Sequence, residues 1–385
     1  MNILITIETL VPKIGGPYYT VNSMATALAG RGHNVTLAYL KIYDEENKLL
    51  GEGVEEVKIK GWRFECLRQN FAFNLVQKFQ SIIREKQIDI VIDNGAWLYS
   101  NYAISKAAIR SKVPIVLSPR GLLEPGALRY RSLRKRIAWS LYQKKILQKV
   151  SMFHACSENE ARSIKALGFE QPIAHVSNGV DFPTTPAPFD ASLVNQKRVA
   201  LFLSRVHPTK GVLELVHSWA RVKPKNWVLR IAGEGEPSYL SKIKNLVNRY
   251  GLAEQIELIG HVEGDAKEAT FRAAQLFILP TYTENFGVVI AEALSFGLPV
   301  LTTTGAPWEV LESMSIGWRI DLNEASLDRA LLDASSTTTE RLKEKGVAGR
   351  ALIQEKFSWG SCSRCLELEI FKYASELNSK KKTDN

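Results

Sequence analysis

Leu276-Phe-Ile-Leu279-Pro280-Thr-Tyr-Thr-Glu284-Asn285-Phe286-Gly287-Val288-Val-Ile-Ala-Glu292-Ala-Leu-Ser295 reads as a short strand, a loop and a helix in immediate succession. An unbroken apolar run suits a strand covered on both faces, and the residues after Gly287 suit a helix packed on it. Pro299–Thr302 supplies the next strand. Strand, crossover helix and strand form the repeating unit of a parallel sheet.

Outward from this stretch the alternation continues. Upstream lie Arg198–Leu203, Leu213–Arg221, Trp227–Ala232, Leu240–Tyr250, Ile256–Ile259 and Ala266–Ala273. The first half shows it too, in Ile3–Ile7, Thr20–Gly30, Asn34–Tyr39, Leu75–Lys86, Ile88–Ile92, Tyr102–Ser111 and Ile115–Ser118. Between the halves, Asp181–Phe189 is proline-rich and aperiodic, a linker by composition. The expected fold class is α/β: two Rossmann-like, doubly wound parallel-sheet domains, residues 1–185 and 197–358, facing a central cleft. Open parallel sheets bind ligands beyond the carboxyl ends of their strands, so function belongs in the strand-to-helix loops.

Composition sets further bounds. The chain has 385 residues, 45% of them hydrophobic and 23% charged, an ordinary globular balance for two domains. No apolar run approaches the roughly 18 residues of a spanning helix, and the first residues lack a basic leader, so a cytoplasmic protein is expected. Of four cysteines, Cys362 and Cys365 form a C-x-x-C inside a helical pattern, without the second pair a metal site wants. The histidines are isolated and no two aspartates have Asp-x-Asp spacing; no metal site is expected.

The net charge of +10 is local. Gly126–Val150 holds eight cations and no anion, which leaves +2 for the rest of the chain. A general nucleic-acid surface would be spread more widely, so no nucleic-acid partner is expected. Within this patch Leu133, Ile137 and Leu141 recur at helical spacing, as if the stripe packs on its own sheet. An anionic membrane surface is the partner such a patch, residues 129–149, would take.

The loops carry the chemistry. At Thr281–Gly287 the following helix offers free amides and a positive dipole end to an anion such as phosphate. Glu284 stands ahead of this helix and Glu292 in its second turn, too far apart for a carboxylate dyad but suited to two sets of hydroxyls on one extended ligand. Arg205 and Lys210, on the loop after Arg198–Leu203, read either as solvated cations or as the counter-charge to a departing diphosphate. Gly15-Gly16, after the first strand, reads either as a phosphate cradle or as a plain loop. Gly233-Glu-Gly235 lacks the third glycine of the dinucleotide fingerprint.

In this order the loops resemble glycosyltransferase family 4, across nearly the whole chain. The resemblance is carried by Gly15-Gly16, Leu28-Ala-Gly-Arg-Gly32-His33-Asn-Val35, Ser204-Arg205 with Lys210-Gly211, Ala232-Gly-Glu-Gly235, Leu258-Ile-Gly260-His261, the Glu284-x7-Glu292 element and Phe357-Ser-Trp359. It implies a GT-B fold in which a carboxy-terminal helix, about residues 360–378, crosses back to the first domain. It implies a retaining hexosyltransferase that uses a nucleotide-diphosphate sugar, GDP- or UDP-linked, as co-substrate and needs no bound cofactor or metal.

The implied donor-binding residues are Gly15, Gly16, Asn285, the amides of Phe286, Gly287 and Val288, Glu292 on the ribose, and Gly260 and His261 by the base. Arg205, Lys210 and Glu284 would carry the catalytic contacts, the first two on the diphosphate and the third on the sugar. Pro119-Arg120-Gly121 stands where many relatives have His-Gly, and is similar to a branch associated with bacterial surface-polysaccharide assembly. Arg120 and Gly121 would then lie on the acceptor side, toward a glycan or polyprenyl-diphosphate-linked acceptor at the inner face of the membrane; pairing of Arg120 with Glu124 is the plainer alternative. A nucleotide-sugar 2-epimerase on the same fold, or a non-catalytic polyanion binder, are the competing readings.

Overall fold

The computed structural model describes residues 1–11, 15–42, 50–64, 69–129, 132–183, 185–186 and 197–383. Two compact units divide the chain, Met1–Gly179 with Trp359–Asn385, and Val180–Ser358. The division falls just before the proline-rich stretch, of which residues 184 and 187–189 lie outside the described residues.

The first unit holds β1 (Asn2–Ile7), β2 (Asn34–Lys41), β3 (Val54–Lys60), a small hairpin of β4 (Trp62–Phe64) and β5 (Gln69–Phe71), then β6 (Ile90–Asn94), β7 (Ile115–Ser118), β8 (Met152–Ala155) and β9 (Ile173–His175). Its main sheet runs β3-β2-β1-β6-β7-β8-β9, with every pair parallel. The second unit holds β10 (Arg198–Leu203), β11 (Trp227–Ala232), β12 (Ile256–Gly260), β13 (Leu276–Leu279), β14 (Val300–Thr303) and β15 (Gly317–Ile320), ordered β12-β11-β10-β13-β14-β15 and again all parallel. In each sheet the strand order reverses beside the first strand, between β1 and β6 and between β10 and β13. Loops diverge there and leave a crevice, which is where such sheets take ligands.

The central strands are covered on both faces and therefore apolar, as in Leu276–Leu279, all four residues of which are buried, whereas the edge strands β3, β12 and β15 carry charged or exposed residues. The carboxy-terminal helix, Trp359–Thr383, belongs to the first unit, where Cys362, Leu366 and Ile370 join the core formed by β1 and the helix Gly16–Ala29. Arg31 and His33 both reach Glu367 on it. Within this helix Cys362 is buried and Cys365 exposed.

One expectation fails. The helix of residues 132–147, with a π turn at Trp139–Gln143, does not pack through Leu133, Ile137 and Leu141, which are 69%, 53% and 69% exposed. Its inward side is Trp139, against Trp97 and Phe169, Tyr142, against Tyr102, and the buried Leu147. Aromatic side chains bury far more surface than leucine or isoleucine, and the two stripes lie on different faces, so the aromatic one takes the interior.

Candidate active site

At its strand-order reversal the second unit brings two charged side chains together. Lys210, on the loop after β10, is nearly buried and forms an ion pair with Glu284, on the loop after β13. The two loops are also joined by backbone: Tyr282 N donates to Thr209 O at 2.8 Å, and Thr281 Oγ1 to the same carbonyl at 3.1 Å. Arg205 is exposed on the first loop and pairs with no carboxylate among the described residues.

Gly287, at φ 76°, ends the second loop and caps the helix Val288–Ser295. The first amides of that helix have no partner within it, and their dipole end is positive, so the turn is prepared for an anion. Its shape is held from behind: Trp308 Nε1 donates to Phe286 O at 2.6 Å, the Trp308 ring lies against Phe286, and Glu284 N donates to Gly305 O at 2.8 Å. Asn285 and Val288 are half-buried on the same turn.

Glu292, one helical stretch further, bonds Lys267 at 2.7 Å and lines a pocket with Asp181, Phe182, Gly264 and Phe271. Gly260, the last residue of β12, and His261 after it are exposed, and the Gly260 carbonyl accepts from Gly233 N at 2.7 Å. The Gly233-Glu-Gly235 pattern is explained by packing: a Cβ at Gly233 would lie 1.8 Å from Ser204 O, and one at Gly235 2.3 Å from Val206 O.

In the first unit Gly15, at φ 73°, caps the helix Gly16–Ala29 after β1. Arg120 and Gly121 follow β7, both left-handed at φ 56° and 79°. The Arg120 guanidinium turns to the Asn94 Oδ1, at 2.8 and 3.1 Å, to the Asn178 Oδ1, and to the Cys156 Sγ at 3.3 Å. Glu160 fixes the turn by accepting from the amides of Gly121 and Cys156. Burial, with Glu160 nearby, pushes the Glu124 carboxyl up to about 7; burial and the Arg120 charge push His154 down to about 3, so that its neutral ring bonds Ser118 and the Val176 carbonyl.

The profile described as Glycosyltransferase Family 4 matches residues 14–182, and that of Glycosyl transferases group 1 matches residues 185–346. The chain belongs to the family 4 glycosyltransferases. An uncharacterized glycosyltransferase of Methanocaldococcus jannaschii is 25% identical over 191 residues, 48% of this chain and 47% of that one. The chain spans about half the length of several curated relatives it matches. The crystal structure of an Anabaena protein, HepE, in complex with UDP and glucose shares the fold at TM-score 0.73 and 17% identity, covering 97% of this chain and all of that one. That of WaaG, a glycosyltransferase involved in lipopolysaccharide biosynthesis, does so at 0.66 and 15%, covering 95% and 98%.

In this glycosyltransferase Lys210 and Glu284 are brought into contact, and Phe286, Gly287 and Val288 lie on the same turn as Glu284. Glu284 and Glu292 stay apart, each on its own lysine. Sequence reasoning missed Lys267, Trp308, Asn94, Asn178 and Glu160. Only Lys267 left a trace, since a carboxylate as isolated among apolar neighbours as Glu292 requires a partner from elsewhere.

Proposed function

We propose that this glycosyltransferase moves a sugar, with retention, from a UDP- or GDP-sugar to a glycan or polyprenyl-diphosphate-linked acceptor, in assembly of a bacterial surface polysaccharide. The observation that carries the reading is the Lys210–Glu284 pair beside the open helix end at Gly287, cation, hydroxyl acceptor and anion-binding amides on adjoining loops. WaaG, of like fold, serves lipopolysaccharide biosynthesis, and HepE binds UDP with glucose.

In the proposed reaction Arg205 and Lys210 hold the diphosphate, Gly15 and Gly16 approach it, Glu284 holds sugar hydroxyls and Glu292 the ribose. The base lies by Gly260 and His261. The acceptor oxygen attacks the anomeric carbon on the face the diphosphate leaves, and its proton passes to the departing phosphate oxygen. The cationic side chains balance the developing charge, so no metal is required. Arg120 and Gly121 shape the acceptor side. No helix among the described residues is long and apolar enough to cross a membrane; attachment is peripheral, through the basic residues 129–149 at the cytoplasmic face.

The test is product analysis with a panel of UDP- and GDP-sugars, each with and without membrane-extracted acceptor, the new linkage examined by NMR. Acceptor-dependent release of nucleotide with unchanged anomeric configuration is expected. Interconversion of free nucleotide sugars without an acceptor would replace transfer by epimerisation, and an inverted linkage would overturn the retaining reaction.

A further inference from the structure

The helix of residues 132–147 turns to solvent a stripe that its own unit does not use. Leu133, Ile137 and Leu141 recur every four residues and are the exposed ones, while Trp139, Tyr142 and Leu147 pack inward. Around the stripe Arg129, Arg136, Lys144, Lys145 and Lys149 are exposed. No acidic residue occurs anywhere from Gly126 to Val150.

This combination discriminates among occupants. A second copy of the chain would set the same cations against one another, and like charges repel at an interface. An anionic bilayer answers both features at once, because its phosphates lie above an apolar boundary some ångströms deeper, and long cationic side chains bridge the two levels. Charge alone would account for the cations but not for three large aliphatic side chains held in water.

We propose that this helix lies in the headgroup–acyl boundary of an anionic membrane, with Leu133, Ile137 and Leu141 inserted and Arg136, Lys144 and Lys145 on lipid phosphates. The inference rests on the membrane attachment proposed above and gives it a salt-resistant component. Electrostatic attraction is screened within about 3 Å at 1 M salt, whereas apolar burial is not weakened by salt.

The experiment uses the full chain with vesicles of phosphatidylcholine and phosphatidylglycerol, at low salt and at 1 M NaCl, and with a monolayer of the same lipids. Wild type should bind the vesicles, keep part of that binding at 1 M NaCl, and raise the monolayer's surface pressure. Leu133→Ser/Ile137→Ser/Leu141→Ser should lose the salt-resistant binding and the pressure rise, with about tenfold or greater weakening overall, yet still bind at low salt. Arg136→Gln/Lys144→Gln/Lys145→Gln should show the converse, weaker capture at low salt. Thermal unfolding controls for the fold, which serine at three exposed positions should leave intact. Wild-type binding that 1 M NaCl abolishes, with no pressure rise, would overturn insertion while leaving docking by charge. No vesicle binding at all would remove membrane attachment itself. Transfer to a water-soluble acceptor reports separately on the enzyme.

Discussion

Lys210 and Glu284, 74 residues apart, form an ion pair that ties the loop after β10 to the loop after β13. Neither group is fully in water, so each is held in place by the other and by the backbone bonds between the loops. Replacing either with alanine should lower kcat/KM by roughly one to two orders of magnitude, since a hydrogen bond to a charged group contributes about 1.5–3 kcal/mol. Groups that act as a unit are not additive, so the double variant should lose much less than the product of the two. Steady-state kinetics of the three variants check this. Wild-type activity in either single variant would remove the pair from the site.

Arg205 is exposed on the same loop as Lys210. If it and Lys210 supply the counter-charge to the departing diphosphate, exhaustive treatment with EDTA should leave the rate of transfer unchanged. Arg205→Ala should then fall chiefly in kcat, where leaving-group charge is felt, and only weakly in donor affinity. Reversible loss of all transfer on chelation would assign that charge to a metal instead.

Asp93, at the end of β6, is buried and accepts hydrogen bonds from Thr6 Oγ1 at 2.7 Å and Asn101 Nδ2 at 2.9 Å. Burial outweighs both bonds and pushes its carboxyl from 3.8 up to about 6. The folded state thus holds the proton more tightly than the unfolded chain does. Its contribution to stability is present below about pH 4 and is lost as pH rises through about 6. Asp93→Asn, neutral throughout, should gain on wild type by on the order of 1–3 kcal/mol between pH 5 and 8. Urea unfolding of both proteins across that range gives the difference; a gap that does not widen with pH would contradict the raised carboxyl.

The sheets were legible because parallel strands buried on both faces leave unbroken apolar runs. Ile115–Ser118, Arg198–Leu203, Trp227–Ala232 and Leu276–Leu279 match the structure end to end. β8 escaped notice because His154 interrupts its short apolar run, and β15 because its residues are only half-buried and include Arg319. At the site, residues placed by their own loop were readable, as with Glu284 before Gly287. Lys267 and Trp308 were not, because their roles arise from contacts across 25 and 22 residues that no local pattern records. The helix of residues 132–147 had two apolar stripes, and periodicity alone does not say which one faces inward.

Glycines divide by what surrounds them, and two substitutions should separate binding from packing. Gly16 is exposed, has no left-handed backbone, and an added Cβ would meet nothing within 4 Å. Its neighbours therefore do not require glycine there, and near the start of a helix alanine is the better helix former by about 1 kcal/mol. Gly16→Ala should leave stability unchanged or slightly higher. If the diphosphate approaches this backbone, the methyl group stands where the ligand must come, and transfer should fall by about tenfold or more, with the loss mainly in donor affinity. Gly233 is the opposite case. Its φ is 138°, and a Cβ would lie 1.8 Å from the backbone oxygen of Ser204, which a flexible side chain could evade but a strand end cannot. Gly233→Ala should destabilise the second unit by about 2 kcal/mol or more, and its activity should fall only as the folded fraction does or as the Ser204–Arg205 turn is displaced. Unfolding curves and donor titrations on both variants decide the matter. A stable, fully active Gly16→Ala would take the first glycine loop out of the donor site, and a stable Gly233→Ala would mean that the Gly-Glu-Gly turn is not the packing element its contacts make it.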